Sequence, residues 1–234
     1  MDFKDKVVVI TGANGGLGTE FVKLIASKGA KKIYATARDM KKLDKFDSLG
    51  VVQKVELDLA SDASIKNAAA AFTTVDILIN NAGVNSGHTI FENDWIEFDI
   101  NVRATTNFTN LVQPLIPREG AIINITSILA LLNLPALARY SASKAAQHSL
   151  TQALRAYMNP KGVKVFEALP GPIDTAMSEG QQMDKTAPDI VAKNIIEAVE
   201  SNFLEIYPDN FSKAILEGLR QNPKGMEEEF ASYL

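Results

Sequence analysis

A phenol and an amine stand four residues apart in Tyr140-Ser141-Ala142-Ser143-Lys144, inside a stretch whose pattern predicts helix over 138–157. Side chains at that spacing share one helix face, one turn apart. A phenol is a poor acid or base at neutral pH, with an ordinary pKa of about 10. A lysine ammonium beside it favours the phenolate. The phenol can then exchange a proton with a carbonyl or alcohol oxygen near neutral pH. Alone, such a pair is ordinary helix surface. It gains meaning from what the rest of the chain places around it.

The elements that would position the pair follow from apolar patterning. Short β-rich runs recur at 7–10, 32–36, 51–57, 75–79, 121–125, 163–166 and 203–207. Several are apolar at nearly every position, as strands covered on both faces are. Helical patterns fall between them. One spans 17–28 and is stopped by Gly29; another, alanine-rich, spans 62–72. A long one covers 93–115, with Ile96, Ile100, Phe108, Leu111 and Leu115 as its apolar face and Pro114 near its end. Helices at 138–157 and 188–200 complete the crossovers, and the tail after Pro208 gives two short helices split near Asn222-Pro223-Lys224-Gly225. This alternation predicts one α/β domain: a Rossmann-type doubly wound parallel sheet of about seven strands, with helices on both faces and right-handed crossovers. No repeat, low-complexity tract or linker divides the 234 residues.

Composition removes whole classes of chemistry. A formal net charge of -4 argues against nucleic acid or an anionic membrane as partner. The absence of cysteine excludes disulfides, thiolate metal sites and a cysteine nucleophile. Only two histidines exist, His88 and His148, both read as surface or loop residues, so neither a metal site nor a Ser-His-Asp triad is supplied. Residues 1–6 are charged and lack the apolar region of a signal peptide, and no apolar run reaches membrane-spanning length. A soluble, cytoplasmic protein is the expectation.

Directly after the first strand comes Thr11-Gly12-Ala13-Asn14-Gly15-Gly16-Leu17-Gly18, and then a helix. Glycines allow a tight turn and close backbone approach to a pyrophosphate, which the free N–H groups of the helix start would hold. Gly12, Asn14, Gly16, Leu17 and Gly18 are therefore dinucleotide-binding candidates. The end of the second strand sorts the cofactor. NAD sites commonly place an acid there for the ribose hydroxyls. This chain has Thr36-Ala37-Arg38-Asp39, with Ala37 at the acid position and a guanidinium next to it. Arg38 suits a 2′-phosphate. NADP(H) is favoured, with NAD(H) the alternative should Asp39 turn toward the ribose.

Together with these, further motifs in order resemble the short-chain dehydrogenase/reductase family, in its single-domain branch, over residues 5–207. Thr11 to Gly18 is similar to the family's glycine turn, and Asp58-Leu59 after the third strand to its adenine contact. Asn80-Asn81-Ala82-Gly83 after the fourth strand matches a motif bordering the adenine ribose, which adds Asn81, Ala82 and Gly83 to the cofactor set. Asn101, Ser127, Tyr140 and Lys144 match the family's catalytic tetrad. Pro170-Gly171-Pro172-Ile173-Asp174-Thr175 matches the segment beside the nicotinamide, which adds Pro170, Gly171, Ile173 and Thr175. The resemblance implies hydride transfer between a carbonyl and an alcohol. Tyr140 would be the general acid or base and Lys144 would lower its pKa and hold the nicotinamide ribose. Ser127 would polarise the substrate oxygen, and Asn101 would order a water that links Lys144 to solvent.

One departure bears on substrate. Where the family often has Ala-Gly after the catalytic serine, this chain has Leu129 and Ala130, then Leu131 and Leu132; the segment after Thr175 contains Met177 and Met183. An apolar pocket under a small lid is predicted, suited to a small neutral, largely apolar carbonyl or alcohol substrate. A homodimer or homotetramer, paired through the helices near 93–116 and 138–158, is expected by analogy alone. The competing readings are an NAD-preferring alcohol dehydrogenase of the same fold and a catalytically silent nucleotide-sensing protein. A sugar-nucleotide epimerase or dehydratase would need a larger region after Pro170-Gly171 than this chain provides.

Overall fold

The computed structural model describes residues 1–180 and 183–233, and among these seven parallel strands form one sheet. The strands are β1 (Val7–Ile10), β2 (Lys32–Ala37), β3 (Val52–Glu56), β4 (Ile77–Asn80), β5 (Ala121–Ile125), β6 (Lys164–Ala168) and β7 (Glu205–Ile206). Their order is β3-β2-β1-β4-β5-β6-β7. Direction of winding reverses between β1 and β4, and a doubly wound sheet opens its ligand crevice at such a point, beyond the strands' carboxyl ends.

Residues alternate across the sheet and so feed two cores. Val8, Ile10, Ile33, Ile77, Ile79 and Ile123 face α1 (Gly16–Ser27) and α5 (Pro188–Glu200), whose Phe21, Val22, Ile25, Ile195 and Ile196 pack against them. Val7, Val9, Leu78, Ile122 and Val165 face the other side. There α2 (Asp62–Ala70) and α3 (Thr105–Val112) bring Ile65, Phe108 and Val112, and α4 (Ala138–Met158) brings Met158. Two further helices, α6 (Asn210–Gln221) and α7 (Pro223–Ala231), build a third, smaller cluster with Ile128, Leu132, Ile215 and Phe230. No described helix is long and apolar enough to cross a membrane.

The sequence reading of one long helix over 93–115 needs correction. Asp94 Oδ1 accepts from Ile96 N at 2.9 Å, and the helix begins there rather than at residue 93. Its first turns, Phe98–Ala104, are π-helical. Within them the side chain of Asn101 is fixed to Val84 and Ser143. The extra residue in the wide turn moves the buried stripe to Ile100, Ala104, Phe108 and Val112, leaving Leu111 exposed. Pro114 restricts the end to a single 3₁₀ turn, Gln113–Leu115.

Candidate active site

One cleft of about 1440 Å³ lies beyond the carboxyl ends of the strands, lined by residues that follow β1 through β6. Its floor at β1 is the glycine turn. Gly12 sits at φ +63°, and a Cβ there would meet Ala82 Cα at 3.0 Å. At Gly18 a Cβ would fall 2.3 Å from the Gly12 carbonyl oxygen, so only glycine lets α1 start this close to the turn. The turn is pinned from β4. Thr11 Oγ1 accepts from Asn81 N and Ala82 N, both at 2.9 Å, while Asn81 Nδ2 donates to the Thr11 carbonyl at 2.9 Å. α1 follows the N-cap residue Gly15 with no side-chain cap and no acid in its first turn, so its first N–H groups are left for an anion. A side-chain-free cradle at a helix start fits a pyrophosphate.

At the end of β2, Arg38 lines the cleft beside Asp39, and Lys42 joins them. One oxygen of the Asp39 carboxylate is engaged locally. It caps the 3₁₀ turn Met40–Phe46, accepting from Lys41 N at 3.0 Å. Arg38 is exposed and has no ion-pair partner among the described residues. Two cations and one engaged acid therefore rim this end, and Lys42 is a residue the sequence reading missed. Asp58 and Leu59 line the next stretch; Asp58 Oδ1 is taken by Ala60 N at 3.0 Å. Asn14, Gly16, Leu17, Ala82 and Gly83 also line the cleft.

Ser127, Tyr140 and Lys144 meet on its floor. Ser127 follows β5 and caps a 3₁₀ turn, with its Oγ accepting from Leu129 N at 3.2 Å. Lys144 is 4% exposed, its Nζ donates to the Ile125 carbonyl at 3.1 Å, and it stands 5.6 Å from the Tyr140 ring centre. Gly83 lies against both buried groups: a Cβ there would crowd Asn101 Oδ1 at 3.2 Å and touch Lys144 Nζ at 3.5 Å. The electrostatics correct the sequence expectation. Burial pushes Tyr140 up to about 12, and the Ser127 hydroxyl, not Lys144, is what pulls against it. Burial also brings Lys144 down to about 8, opposed by the Glu167 carboxylate. Both groups are thus driven toward their neutral forms.

Asn101, expected beside these three, stands apart. It is fully buried and lies outside the main cleft, on a smaller cavity between α3 and α4. Its Nδ2 donates to the Val84 carbonyl at 2.9 Å and to Ser143 Oγ at 3.0 Å, and its Oδ1 accepts from Val84 N at 2.8 Å. With its side chain engaged in this way, it braces the wall that carries Gly83 and Lys144.

After β6, Pro170, Gly171, Ile173 and Thr175 line the cleft as expected. Gly171 N donates to Asp209 Oδ2 at 2.8 Å, and Asp209 also caps α6. That buried aspartate, invisible as a site residue in the sequence, ties the C-terminal helices to the cofactor segment. The segment that leaves Thr175, expected to cover the pocket, returns at Thr186, which forms a parallel bridge with Ile173. Gln181 and Gln182 within it lie outside the described residues. Met177, Met183 and Leu129 line the pocket as predicted, but Leu131 and Leu132 do not; they pack into the cluster under α6 and α7. Phe211, Ile215, Phe230 and Tyr233 take their place as the apolar wall, with Glu229 beside them. Arg139, next to Tyr140, was also missed. It stacks on Trp95 at 4.5 Å and donates to the carbonyls of Thr89, Ile90 and Asp94, fastening the 89–95 loop to the start of α4.

Comparison with known proteins bears on this geometry. A family model described as short chain dehydrogenase matches residues 6–186. An uncharacterized oxidoreductase of Staphylococcus saprophyticus is 33% identical over 194 residues, spanning 76% of this chain and 82% of that protein. The crystal structure of a short chain dehydrogenase from Burkholderia cenocepacia in complex with NADP superposes with a TM-score of 0.93 at 33% identity, covering 98% of this chain and 99% of the other. A short chain dehydrogenase/reductase from Burkholderia phymatum in complex with NAD gives 0.84 at 26% identity, covering 98% and 96%.

Proposed function

The chain belongs to the short-chain dehydrogenase family, and on that premise we propose that it is an NADP(H)-dependent oxidoreductase interconverting a carbonyl and an alcohol on a small, neutral, largely apolar substrate. The observation that carries this reading is the meeting of Ser127, Tyr140 and Lys144 at one end of a cleft whose other end is the glycine turn.

When bound, the dinucleotide supplies a hydride in reduction or takes one in oxidation. The chain supplies position and the proton. Gly12 to Gly18 and the start of α1 hold the pyrophosphate, and Arg38 with Lys42 holds a 2′-phosphate. Asp58, Leu59, Asn81, Ala82 and Gly83 border the adenosine, and Pro170, Gly171, Ile173 and Thr175 the nicotinamide. Ser127 donates a hydrogen bond to the substrate oxygen as charge develops there. Tyr140 gives that oxygen its proton in reduction and takes it back in oxidation. A phenol raised to about 12 carries its proton at neutral pH, which is the form reduction needs. Lys144 in its ammonium form then supports the phenolate left behind. The exposed Leu111, Leu150 and Tyr157 on α3 and α4 support pairing of copies through those helices, as a homodimer or homotetramer.

The test is a panel of neutral ketones, aldehydes, alcohols and carboxylate-bearing analogues, followed by nicotinamide absorbance with both cofactors. Neutral apolar compounds should lead in kcat/KM, and Tyr140→Phe should lower kcat at least ~100-fold with cofactor affinity kept. Wild-type turnover by that variant refutes the proton role, and a preference for small carboxylates refutes the substrate class.

A further inference from the structure

We propose that Glu167 and His148 form a buried dyad acting on Lys144: the carboxylate holds the lysine in its ammonium form, and His148 keeps the carboxylate ionised. The inference rests on the role given to Lys144 above and makes both members positioning residues for it.

Glu167 lies on β6 with no exposed surface. A lone carboxylate in such a place would take up a proton or disrupt the packing. Both of its oxygens are held. Oε1 accepts from Thr126 Oγ1 at 2.8 Å, and Oε2 lies 2.9 Å from His148 Nδ1. His148, read from the sequence as a surface histidine, is partly buried, with its Nε2 3.0 Å from Gln152 Nε2. Tyr140, Lys144, His148 and Gln152 recur every four residues along α4 and so form one stripe, from the cleft floor to the surface. The lysine and the dyad also grip adjacent residues at the end of β5, Lys144 through the Ile125 carbonyl and Glu167 through Thr126.

Other charged and titratable groups around the pair come from α4 and from β7. Arg155 lies further along α4, donating to the Val165 carbonyl at 3.1 Å and pairing with Glu205 at 3.7 Å. Glu205 stands opposite Glu167 in the sheet register, and Tyr207 lies just beyond it. Tyr140 is the titratable neighbour on the lysine's other side. Of these, the Glu167 carboxylate favours the Lys144 ammonium against the burial that drives its proton off. Burial works against Glu167 as well, and His148 is the largest influence keeping it ionised. An apolar side chain at 167 would pack without desolvating a charge. The dyad therefore has an electrostatic consequence that packing does not require: it opposes the effect of burial on Lys144.

Glu167→Gln tests this while keeping shape, since the amide can still accept from Thr126 and donate to His148. Two readouts are followed from about pH 6 to about 11. One is kcat on an established substrate; the other, which needs no substrate, is unfolding stability. Glu167→Gln should move the alkaline limb of kcat and the onset of the alkaline gain in stability to lower pH, by about half a unit or more. In a Lys144→Met background the shift in stability should vanish. His148→Phe should behave like Glu167→Gln, whereas His148→Asn, whose amide replaces the Nδ1 donor, should restore the wild-type profile. If Glu167→Gln fails to fold, the two histidine variants carry the same test. Unshifted stability profiles in Glu167→Gln or His148→Phe, or a shift that persists without Lys144, overturn the proposal. A shifted stability profile with an unmoved kcat limb supports the dyad and overturns only the catalytic role assigned to Lys144.

Discussion

Replacing Arg38 by alanine is expected to weaken NADPH binding by about 10- to 150-fold and leave NADH binding near its starting value, because a guanidinium–phosphate hydrogen bond is worth roughly 1.5–3 kcal/mol. Exposure at the rim screens the contact and places the effect in the lower half of that range. Arg38 stands exposed at the cleft rim with no ion-pair partner among the described residues, so no existing contact must be broken for it to bind. The neighbouring acid is partly engaged, since Asp39 Oδ1 accepts from Lys41 N. Lys42 lines the same rim and would retain part of the attraction. Its single variant should cost only about 0.2–1 kcal/mol, as an exposed point charge does. Titration of each cofactor against wild type, Arg38→Ala and Lys42→Ala, followed by nicotinamide fluorescence, needs no substrate. If wild type already prefers NADH, or Arg38→Ala weakens both cofactors alike, then Arg38 does not read a phosphate and the cofactor assignment fails.

Other outcomes follow from burial and close approach. Lys144 has its pKa lowered from 10.5 to about 8 by burial. The unfolded chain therefore holds more protons than the native one between those values, and stability contributed by this group rises with pH across that window, by on the order of 3 kcal/mol. Urea unfolding of wild type and Lys144→Met should differ by a gap that changes from about pH 8 to about 10.5 and is level below it; a constant gap contradicts the buried ammonium. Gly18→Ala forces a Cβ to 2.3 Å from the Gly12 carbonyl, whereas Gly15→Ala meets nothing nearer than 3.4 Å. The first should cost roughly 1–3 kcal/mol and lower Tm, the second much less; equal melting temperatures would refute the role given to Gly18.

Much of this molecule was legible from local pattern. The strand runs and the helix at 188–200 appear where the apolar spacing puts them, and the split at Asn222 falls at the expected Pro223. Cleft residues that follow strands were legible for the same reason, since a parallel sheet delivers every strand end to one edge. What escaped depends on long-range contact. The π turn around Asn101 coincides with side-chain bonds to Val84 and Ser143, contacts that no helical period encodes. Glu167 looks like an interruption in an apolar strand until α4 brings His148 onto it. Leu131 and Leu132 share the composition of pocket residues but face a cluster completed only by α6 and α7. Lysine acting on a buried phenol was reasoned from charge alone. Burial, which depends on the whole cleft, outweighs it.

The anchoring of α6 through Asp209 to Gly171 has a consequence for how the specificity of such a chain can be altered. The residues that would hold the dinucleotide all precede Thr186, whereas Phe211, Ile215, Phe230 and Tyr233 arrive afterwards on a separate pair of helices. The polar link between these two portions at the cofactor segment is one carboxylate, which accepts from Gly171 N on one side and from Ser212 N at 2.7 Å on the other, beside the apolar cluster that Ile128 and Leu132 form with Ile215 and Phe230. A graft that exchanges the segment after Pro208 but keeps an aspartate at 209 would inherit the cradle and replace the apolar wall. The chain is thus divided as a handle and an interchangeable jaw, with Asp209 as the rivet between them.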